Sequence, residues 1–331
     1  MGVERTSVKR FHRHRLLATV AAGLAVLTLG AAPVVGAAGP GDSGTLDSAT
    51  MHADTTTGRV AASKPVKPGS VSCGKQTYTK PGGGTWKCTF ADEFGGSSLD
   101  ASKWTPQQTS VSGLHSGPEC LVNTPANISV GNGVLSLTAR QEAEPFTCNS
   151  PLGAYTTQYT SGGVTTYGKF SQAFGRFEFR ARFPGATVAG LQSALWLYPE
   201  QLKYGRWPTS GEIDVAEAYS LYPDRTIPYI HYAQADTSDK SVTNWYCKLD
   251  PSQFHTYVAE WTSTRIRISN DGVTCVDHAI APAAPLVAPA PFDQPFNVLM
   301  TQVLGVNSNA FDPATTPLPA TMQVDWVRVW S

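Results

Sequence analysis

Apolar and polar residues alternate along much of the chain beyond residue 85, whereas long runs with a helical period are absent. Between Gly175 and Phe183 every second side chain is apolar, and the intervening ones are charged. Because successive side chains of a strand point to opposite faces, this pattern predicts a strand with one buried face. The segment from Gln323 to Trp330 predicts a closing strand.

Turn residues divide these strands into hairpins. The segment from Asn127 to Ala139 has two short strands around Gly-Asn-Gly, and the segment from Thr264 to Asp277 has two around Asn-Asp-Gly. These residues tolerate the backbone conformations that tight hairpin turns need. Many short strands joined in this way indicate an all-β protein, a β-sandwich or jelly roll.

One strand-like run carries three acids, Glu212-Ile-Asp-Val-Ala-Glu217. Alternation places Glu212 and Asp214 on one face and the apolar residues between them on the other, and it would next bring Ala216 to the acidic face. One extra residue in this strand, a β-bulge, would return Glu217 to that face. The run therefore predicts three carboxylates aimed into one space.

The spacing of the two glutamates also indicates a chemistry. With the bulge absorbing one residue, the Cα atoms of Glu212 and Glu217 would lie about 13 Å apart. On a concave strand their carboxyl groups would approach to about 5 Å, the separation that a retaining glycosidase needs. An inverting enzyme needs a wider gap for water. The alternative is a solvated acidic face on an edge strand.

The N-terminal part of the chain predicts export. Basic residues between Lys9 and Arg15 precede an apolar stretch from Leu16 to Leu29, and small residues follow up to Ala38. This order is typical of a secretory signal peptide, here residues 1–38, with an uncleaved anchor as the alternative. Residues 39–72 are rich in Gly, Ser, Thr, Ala and Pro and predict a flexible linker, which leaves residues 73–331 as one folded domain.

Export changes the balance of charge. The chain has 25 Lys and Arg and 25 Asp and Glu; residues 1–38 hold five of the former and one of the latter, which leaves 20 against 24, a net charge of −4. This balance argues against nucleic-acid binding and fits a neutral substrate. No later stretch is apolar enough to cross a bilayer, so we expect a secreted protein without membrane contact after signal cleavage. A monomer is the default expectation.

All six cysteines lie in the exported part of the chain. An oxidising compartment makes disulfides the expected state, and six cysteines allow 15 pairings. A preference for short loops predicts the pairs Cys73–Cys88, Cys120–Cys148 and Cys247–Cys275. The cysteines have no C-x-x-C spacing that would indicate zinc.

Aromatic residues flank the acidic run. Trp196 and Trp207 precede it, and His231 follows it. Sugars have polar edges and apolar faces, so a sugar cleft needs flat aromatic side chains beside its carboxylates. A tryptophan taken alone fits a protein core better than a sugar platform. Its position just upstream of three acids favours the platform for Trp207.

Together these residues resemble glycoside hydrolase family 16. The run Gly211–Glu217 is similar to the bulged E-x-D-x-x-E catalytic motif of that family, and six further segments resemble it in the expected order. They are Phe90–Trp104, Tyr159–Gly162, Gly175–Glu178, Ala194–Leu197, Phe254–Tyr257 with Glu260-Trp261, and Val324–Val329. The resemblance covers roughly residues 85–331.

The resemblance implies a jelly roll of two curved antiparallel sheets, with an open polysaccharide cleft on the concave face. By position, Glu212 matches the nucleophile, Glu217 the general acid/base, and Asp214 the acid that orients its neighbours. Residues 73–331 would then be the catalytic domain.

The residues around the acids match sugar-binding positions of the family. Trp196, Trp207 and His231 correspond to residues that line the sugar sites near the cleavage point. Arg206, in the Arg-Trp-Pro lead-in, resembles the laminarinase branch and is predicted to contact substrate. Thr301 stands where the family pattern often has Asn, which bears on the choice of substrate.

The resemblance implies no required cofactor, but family members often bind one calcium ion on the convex side. Glu93 and Asp325 fall at the matching segments. Calcium takes several oxygen ligands, and the alternative is that both are ordinary surface acids.

The implied activity is that of a secreted, retaining endo-β-glycanase, with laminarin-like β-1,3-glucan as the expected substrate. Mixed-linkage glucan and β-galactan are alternative substrates, and transglycosylation is an alternative fate of the covalent intermediate. A glucan-binding protein without turnover is the alternative class, although the presence of all three acids argues against it.

Overall fold

The computed structural model describes residues 72–236 and 241–331. The predicted signal peptide, and the predicted linker up to residue 71, lie outside the described residues. No helix in the described part is long and apolar enough to span a membrane. The regular elements, in chain order, are β1 (Cys88–Asp92), β2 (Thr105–Pro106), α1 (Thr109–Ser112), β3 (Cys120–Leu121), β4 (Ile128–Gly131), β5 (Val134–Cys148), β6 (Tyr155–Thr165), β7 (Gly175–Arg182), β8 (Leu191–Pro199), β9 (Glu212–Tyr219), β10 (Ile227–His231), β11 (Ser241–Thr243), β12 (His255–Trp261), β13 (Arg265–Asn270), β14 (Val273–Ala279), β15 (Phe296–Leu304), a 3-10 helix (Asn307–Asn309) and β16 (Ala320–Trp330).

The strands form two antiparallel sheets. The first sheet has the order β11-β10-β9-β8-β15-β6, and the second sheet has the order β5-β16-β7-β12-β13-β14. The long strand β5 joins the two, because its first half pairs with β16 and its second half pairs with β6. The shared strand makes one continuous sheet that folds over a common core.

Alternation along the strands explains that core. The apolar face of β7 is buried as predicted, with Phe177, Phe179 and Ala181 fully inaccessible to solvent. They belong to the same cluster as Leu195 and Leu197 from the first sheet. The apolar faces of the two sheets therefore pack against each other, and the opposite faces remain for polar side chains.

The predicted turns and disulfides are confirmed. Asn132-Gly133 and Asp271-Gly272 form two-residue hairpin loops, with φ between 47° and 81° at all four residues. The disulfides join Cys73 to Cys88, Cys120 to Cys148, and Cys247 to Cys275. The last of these ties the segment after β11 to β14.

Candidate active site

Strand β9 carries the acidic run and contains the predicted bulge. Leu195 of β8 pairs with Ala216, and the next residue of β8 pairs with Asp214, so Val215 is an extra residue in β9. The pairing between β9 and β10 shifts at the same place. The bulge prediction is confirmed.

The bulge brings the three acids together. Glu212, Asp214 and Glu217 line one cavity on the first sheet, while Ile213 lies in the core on the other side. Without the extra residue, strict alternation would turn Glu217 toward the core. The predicted convergence of the three side chains is therefore what the structure contains.

A glycine sets the start of this strand. Gly211 has φ +86°, a backbone conformation that side chains disfavour, and a Cβ there would lie 2.9 Å from Cε1 of Phe292. Glycine at this position lets the loop that carries Trp207 turn directly into β9. The turn places the indole of Trp207 beside the first acid.

Glu212 is the most accessible of the three acids. It is half-buried, whereas Asp214 and Glu217 are 4% and 3% exposed. The indole Nε1 of Trp207 donates a hydrogen bond of 2.5 Å to Oε2 of Glu212. Burial raises the pKa of Glu212, and the charge of Asp214 adds to the increase, while His231 and the Trp207 N–H act in the opposite direction.

Glu217 is bound at both oxygens. The amide Nε2 of Gln192 donates to Oε1 at 2.8 Å, and the hydroxyl of Tyr219 donates to Oε2 at 2.7 Å. Burial raises the pKa of Glu217 to about 8, although these two donors lower it. Burial raises the pKa of Glu212 and Asp214 to about 8 as well, so the three acids share this raised range and their titration belongs to the group.

Asp214 lies between the two glutamates along β9 and contacts a histidine. Its Oδ2 lies 3.2 Å from Nε2 of His231. The imidazole is stacked on the ring of Tyr229, with centroids 5.3 Å apart and planes 13° apart, and it lies 5.5 Å from the ring of Trp207. Burial also raises the pKa of Asp214. The aromatic neighbours hold His231 against the middle acid.

The cavity has a volume of about 280 Å³ and extends from the acids toward β15. Both predicted tryptophans, Trp196 and Trp207, line it. The indole Nε1 of Trp196 donates a hydrogen bond to Oγ1 of Thr301 at 3.2 Å, and this bond orients the indole ring in the cavity. Arg206 is exposed and lies outside the cavity lining, and its contact with substrate stays a prediction.

Several residues of the site were not predicted. Gln192 precedes Trp196 by four residues and Tyr219 follows Glu217 by two, so alternation alone would have placed both on the cavity face. His115 and Ser116 form another part of the wall. They belong to the segment between α1 and β3, which has no regular period, so the sequence offered no signal for them.

The two predicted calcium ligands are each paired with an arginine. Arg328 donates to both oxygens of Glu93, at 2.7 and 2.8 Å, and Arg180 is paired with Asp325. Calcium takes several oxygen ligands, and a calcium ion at Glu93 and Asp325 stays a prediction.

The described residues contain another group of side chains with metal-ligand chemistry. Its members offer ligand atoms within 4.8 Å of one another and are Glu212, Asp214 and His231. These are two acids of the cavity and the histidine that contacts Asp214, far from Glu93 and Asp325 in the sequence, so the calcium prediction gains no support from this group.

Comparison with known proteins identifies the family. The family model described as "Glycosyl hydrolases family 16" matches residues 119–328. The chain belongs to this family. A glucan endo-1,3-beta-glucosidase A1 of Niallia circulans is 32% identical to this chain. The match covers 77% of this chain and 39% of the length of that protein. A beta-glucanase of Rhodothermus marinus is 32% identical over 74% of this chain, which spans 85% of it.

Solved structures of similar proteins agree with the fold. The laminarinase from Rhodothermus marinus matches with a TM-score of 0.62 and 30% identity, over 74% of this chain and 97% of that chain. The endo-beta-1,3-glucanase from Pyrococcus furiosus matches with a TM-score of 0.65 and 26% identity, over 77% of this chain and 97% of that chain. The predicted family 16 jelly-roll sandwich is confirmed.

Proposed function

We propose that this chain is a secreted endo-β-glycanase that hydrolyses β-1,3-glucan with retention of anomeric configuration. The observation that carries the proposal is the convergence of Glu212, Asp214 and Glu217 in one cavity beside two tryptophans. The names of the relatives from Niallia circulans and Rhodothermus marinus support a glucan as substrate. The six cysteines, all paired, suit an oxidising compartment outside the cell.

Glu212 would act as the nucleophile. It must be ionised to attack the anomeric carbon. Burial and the charge of Asp214 raise its pKa, and the nearby His231 and the N–H of Trp207 oppose that rise. Its greater exposure also keeps the carboxylate open to the sugar. Attack forms the glycosyl–carboxylate bond as the bond between the anomeric carbon and the leaving oxygen breaks.

Glu217 would act as the general acid and then as the base. The amide Nε2 of Gln192 can only donate, so Oε1 of Glu217 remains an acceptor and the proton belongs on Oε2. The hydroxyl of Tyr219 at Oε2 can accept as well as donate, and therefore tolerates both protonation states. Glu217 gives its proton to the leaving oxygen and later takes one from the water that cleaves the intermediate.

Asp214 would control both glutamates. Its charge raises the pKa of Glu212 and of Glu217. Its contact with His231 fixes the side chain between them. In this role Asp214 helps Glu217 to keep its proton, and the titration belongs to the group rather than to single residues.

Another β-polysaccharide is the second candidate substrate. Relatives include an endo-1,3-1,4-beta-glycanase of Rhizobium meliloti, 30% identical over 73% of this chain, and a keratan-sulfate endo-1,4-beta-galactosidase of Sphingobacterium multivorum, 28% identical over 74%. A beta-1,3-glucan-binding protein of Penaeus monodon, 26% identical, represents the alternative without turnover. The presence of all three acids in one cavity favours turnover for this chain.

The test is release of reducing sugar from a panel of laminarin, lichenan, cellulose, xylan, agarose and a β-1,3-galactan, with Glu212→Gln as the matched control. We expect release from laminarin that disappears in the variant. Nuclear magnetic resonance of the first product would show whether the anomeric configuration is retained. Release from another polymer alone would replace the substrate, whereas binding without any release would favour the glucan-binding alternative.

A further inference from the structure

A second set of aromatic side chains lies on the other side of the acids from the Trp196 cavity. Trp196 comes from β8, on one side of β9, whereas β10 and β11 lie on the opposite side and end the first sheet. Just after β11 come Trp245 and Tyr246, and Tyr222 follows β9. We call Tyr222, Trp245 and Tyr246 the edge aromatics. The roles proposed above for the acids and the cavity do not use them.

The edge aromatics are continuous with the acids through two rings. Trp245 packs perpendicular to Tyr229, with centroids 6.4 Å apart, and Tyr229 is stacked on His231. Tyr229 pairs with Asp214 across β9 and β10, so its side chain is on the acidic face of the sheet. Because neighbouring strands lie about 4.8 Å apart, β11 is about 10 Å from the acids. Trp245 follows β11 and packs on Tyr229, so it lies one ring farther from the acids than Tyr229 does.

The backbone under the edge aromatics is held at several points. Nη1 of Arg225 donates to the carbonyl oxygen of Trp245 at 2.8 Å, and Nδ2 of Asn244 donates to the carbonyl oxygen of Cys275 at 2.7 Å. The Cys247–Cys275 disulfide fixes the residue that follows Tyr246. A backbone held in place before a ligand arrives loses little freedom on binding it.

The accessibility of these rings favours a ligand. Tyr246 is 79% exposed, and Trp245 and Tyr222 are half-buried. Trp245 packs on Tyr222 and Tyr229, and Tyr246 exposes its ring to solvent, so both offer flat apolar faces of the kind that bind the apolar face of a sugar. Arg225 is paired with Asp224 at 2.7 Å, and Lys248 lies 3.5 Å from the same carboxylate, so neither cation lacks an acidic partner. The alternative is that Trp245 only covers Tyr229 as packing.

We infer that Trp245 and Tyr246 form a sugar-binding subsite for the same polysaccharide, separate from the units on either side of the cleaved bond. This inference rests on the proposed function. It predicts a preference for long polysaccharide substrates. Only a substrate that reaches from the acids past His231 and Tyr229 can contact both the acids and the subsite.

The test compares chain lengths. We would measure kcat/KM for Tyr246→Ala and Trp245→Ala on laminarin and on β-1,3-gluco-oligosaccharides from three to eight units, with thermal unfolding of each variant. The matched control is Tyr167→Ala, since Tyr167 is 57% exposed and lies outside the cavity lining. We expect kcat/KM to fall about tenfold on laminarin and the longest oligosaccharides, equivalent to ~1.4 kcal/mol, and to stay unchanged on the shortest substrate.

Calorimetric binding of the longest oligosaccharide to Glu212→Gln, with and without Tyr246→Ala, gives a readout that does not need turnover. Weaker binding in the double variant supports the subsite. An equal effect on short and long substrates, or no effect of Tyr246→Ala on either readout, would overturn it. If the unmodified enzyme cleaves no β-1,3-glucan, the proposed function fails instead, and the two failures are therefore distinct.

Discussion

Buried carboxylates lie on both outer faces of the sandwich, and they are stabilised in different ways. On the second sheet, Glu178 is 1% exposed and is bound by Arg176 at 2.5 Å, and the same guanidinium binds Glu260 at 2.9 Å. On the first sheet, Asp214 and Glu217 are almost as buried. The ion pairs of residues 72–236 and 241–331 bring no lysine or arginine to either of them.

The difference separates a structural carboxylate from a reactive one. A guanidinium beside Glu178 repays part of the cost of burying its charge, so the pair holds a fixed geometry. Glu217 has hydrogen-bond donors from neutral side chains instead, and burial raises its pKa to about 8. A carboxyl group that is buried without a cation can exchange a proton near neutral pH, which is what acid/base catalysis requires.

The largest expected effect is on the reactive side of this comparison. Replacing Glu217 with Gln removes the exchangeable proton but keeps the size of the side chain, so we expect kcat on laminarin to fall about 10⁴-fold. Initial rates with reducing-sugar detection measure the loss. The matched variant Glu260→Gln, on the second sheet, should keep its activity. Near-normal turnover in folded Glu217→Gln would contradict the assignment.

The next largest effect is expected on the structural side. Arg176→Met leaves Glu178 buried without a cation, and we expect the free energy of unfolding to fall by about 3–5 kcal/mol. Guanidinium chloride unfolding at pH 7 measures this change. Activity per folded molecule should stay near that of the unmodified protein, because Arg176 lies on the sheet opposite the cavity. A loss of activity at unchanged stability would contradict the division between the two faces.

A finer test separates two influences on Glu217. The hydrogen bond from the Tyr219 hydroxyl favours the ionised form of Glu217, and the charge of Asp214 disfavours it. Tyr219→Phe should therefore raise the pKa of Glu217 and move the alkaline limb of kcat/KM to higher pH. Asp214→Asn should move that limb to lower pH, each by about one unit or less. If the alkaline limbs of the two variants moved in the same direction, this account of the pKa of Glu217 would be ruled out.

A last test concerns stability as a function of pH. The folded-state pKa of Glu217 is raised from 4.5 to about 8, so between these values the folded state binds more protons than the unfolded state. The free energy of unfolding should therefore fall as pH rises through this window. Glu217→Gln removes this contribution and should be more stable than the unmodified protein at pH 8, by at least about 1 kcal/mol, with the difference shrinking toward pH 4. Urea unfolding at both pH values measures it, and a constant difference would argue against the raised pKa.

Much of the fold follows from local patterns that the sequence displays. The alternation from Gly175 to Phe183 identifies the buried face of β7, and Asn132-Gly133 identifies a hairpin turn, because period and turn residues are local properties. The acidic run predicted the bulge for a similar reason: three acids can share a face only if one extra residue interrupts the alternation.

The partners of the site residues were harder to predict. Gln192 and Tyr219 meet at Glu217 because β8 and β9 pair in one register, and the sequence does not state which strands are neighbours. The sequence likewise did not show that arginines pair with Glu93 and Asp325, the predicted calcium ligands. Cross-strand contacts of this kind depend on the sheet order.

The sequence by itself determined the strand character, the turns, the acidic face of β9 and the resemblance to family 16. These depend on spacing along the chain, where physical rules act over a few residues. The tertiary structure decided which side chains surround each acid, and therefore which carboxylates are neutralised by arginine and which have a raised pKa. Burial and electrostatic interaction act through space, so they are set only when the two sheets have closed around their core.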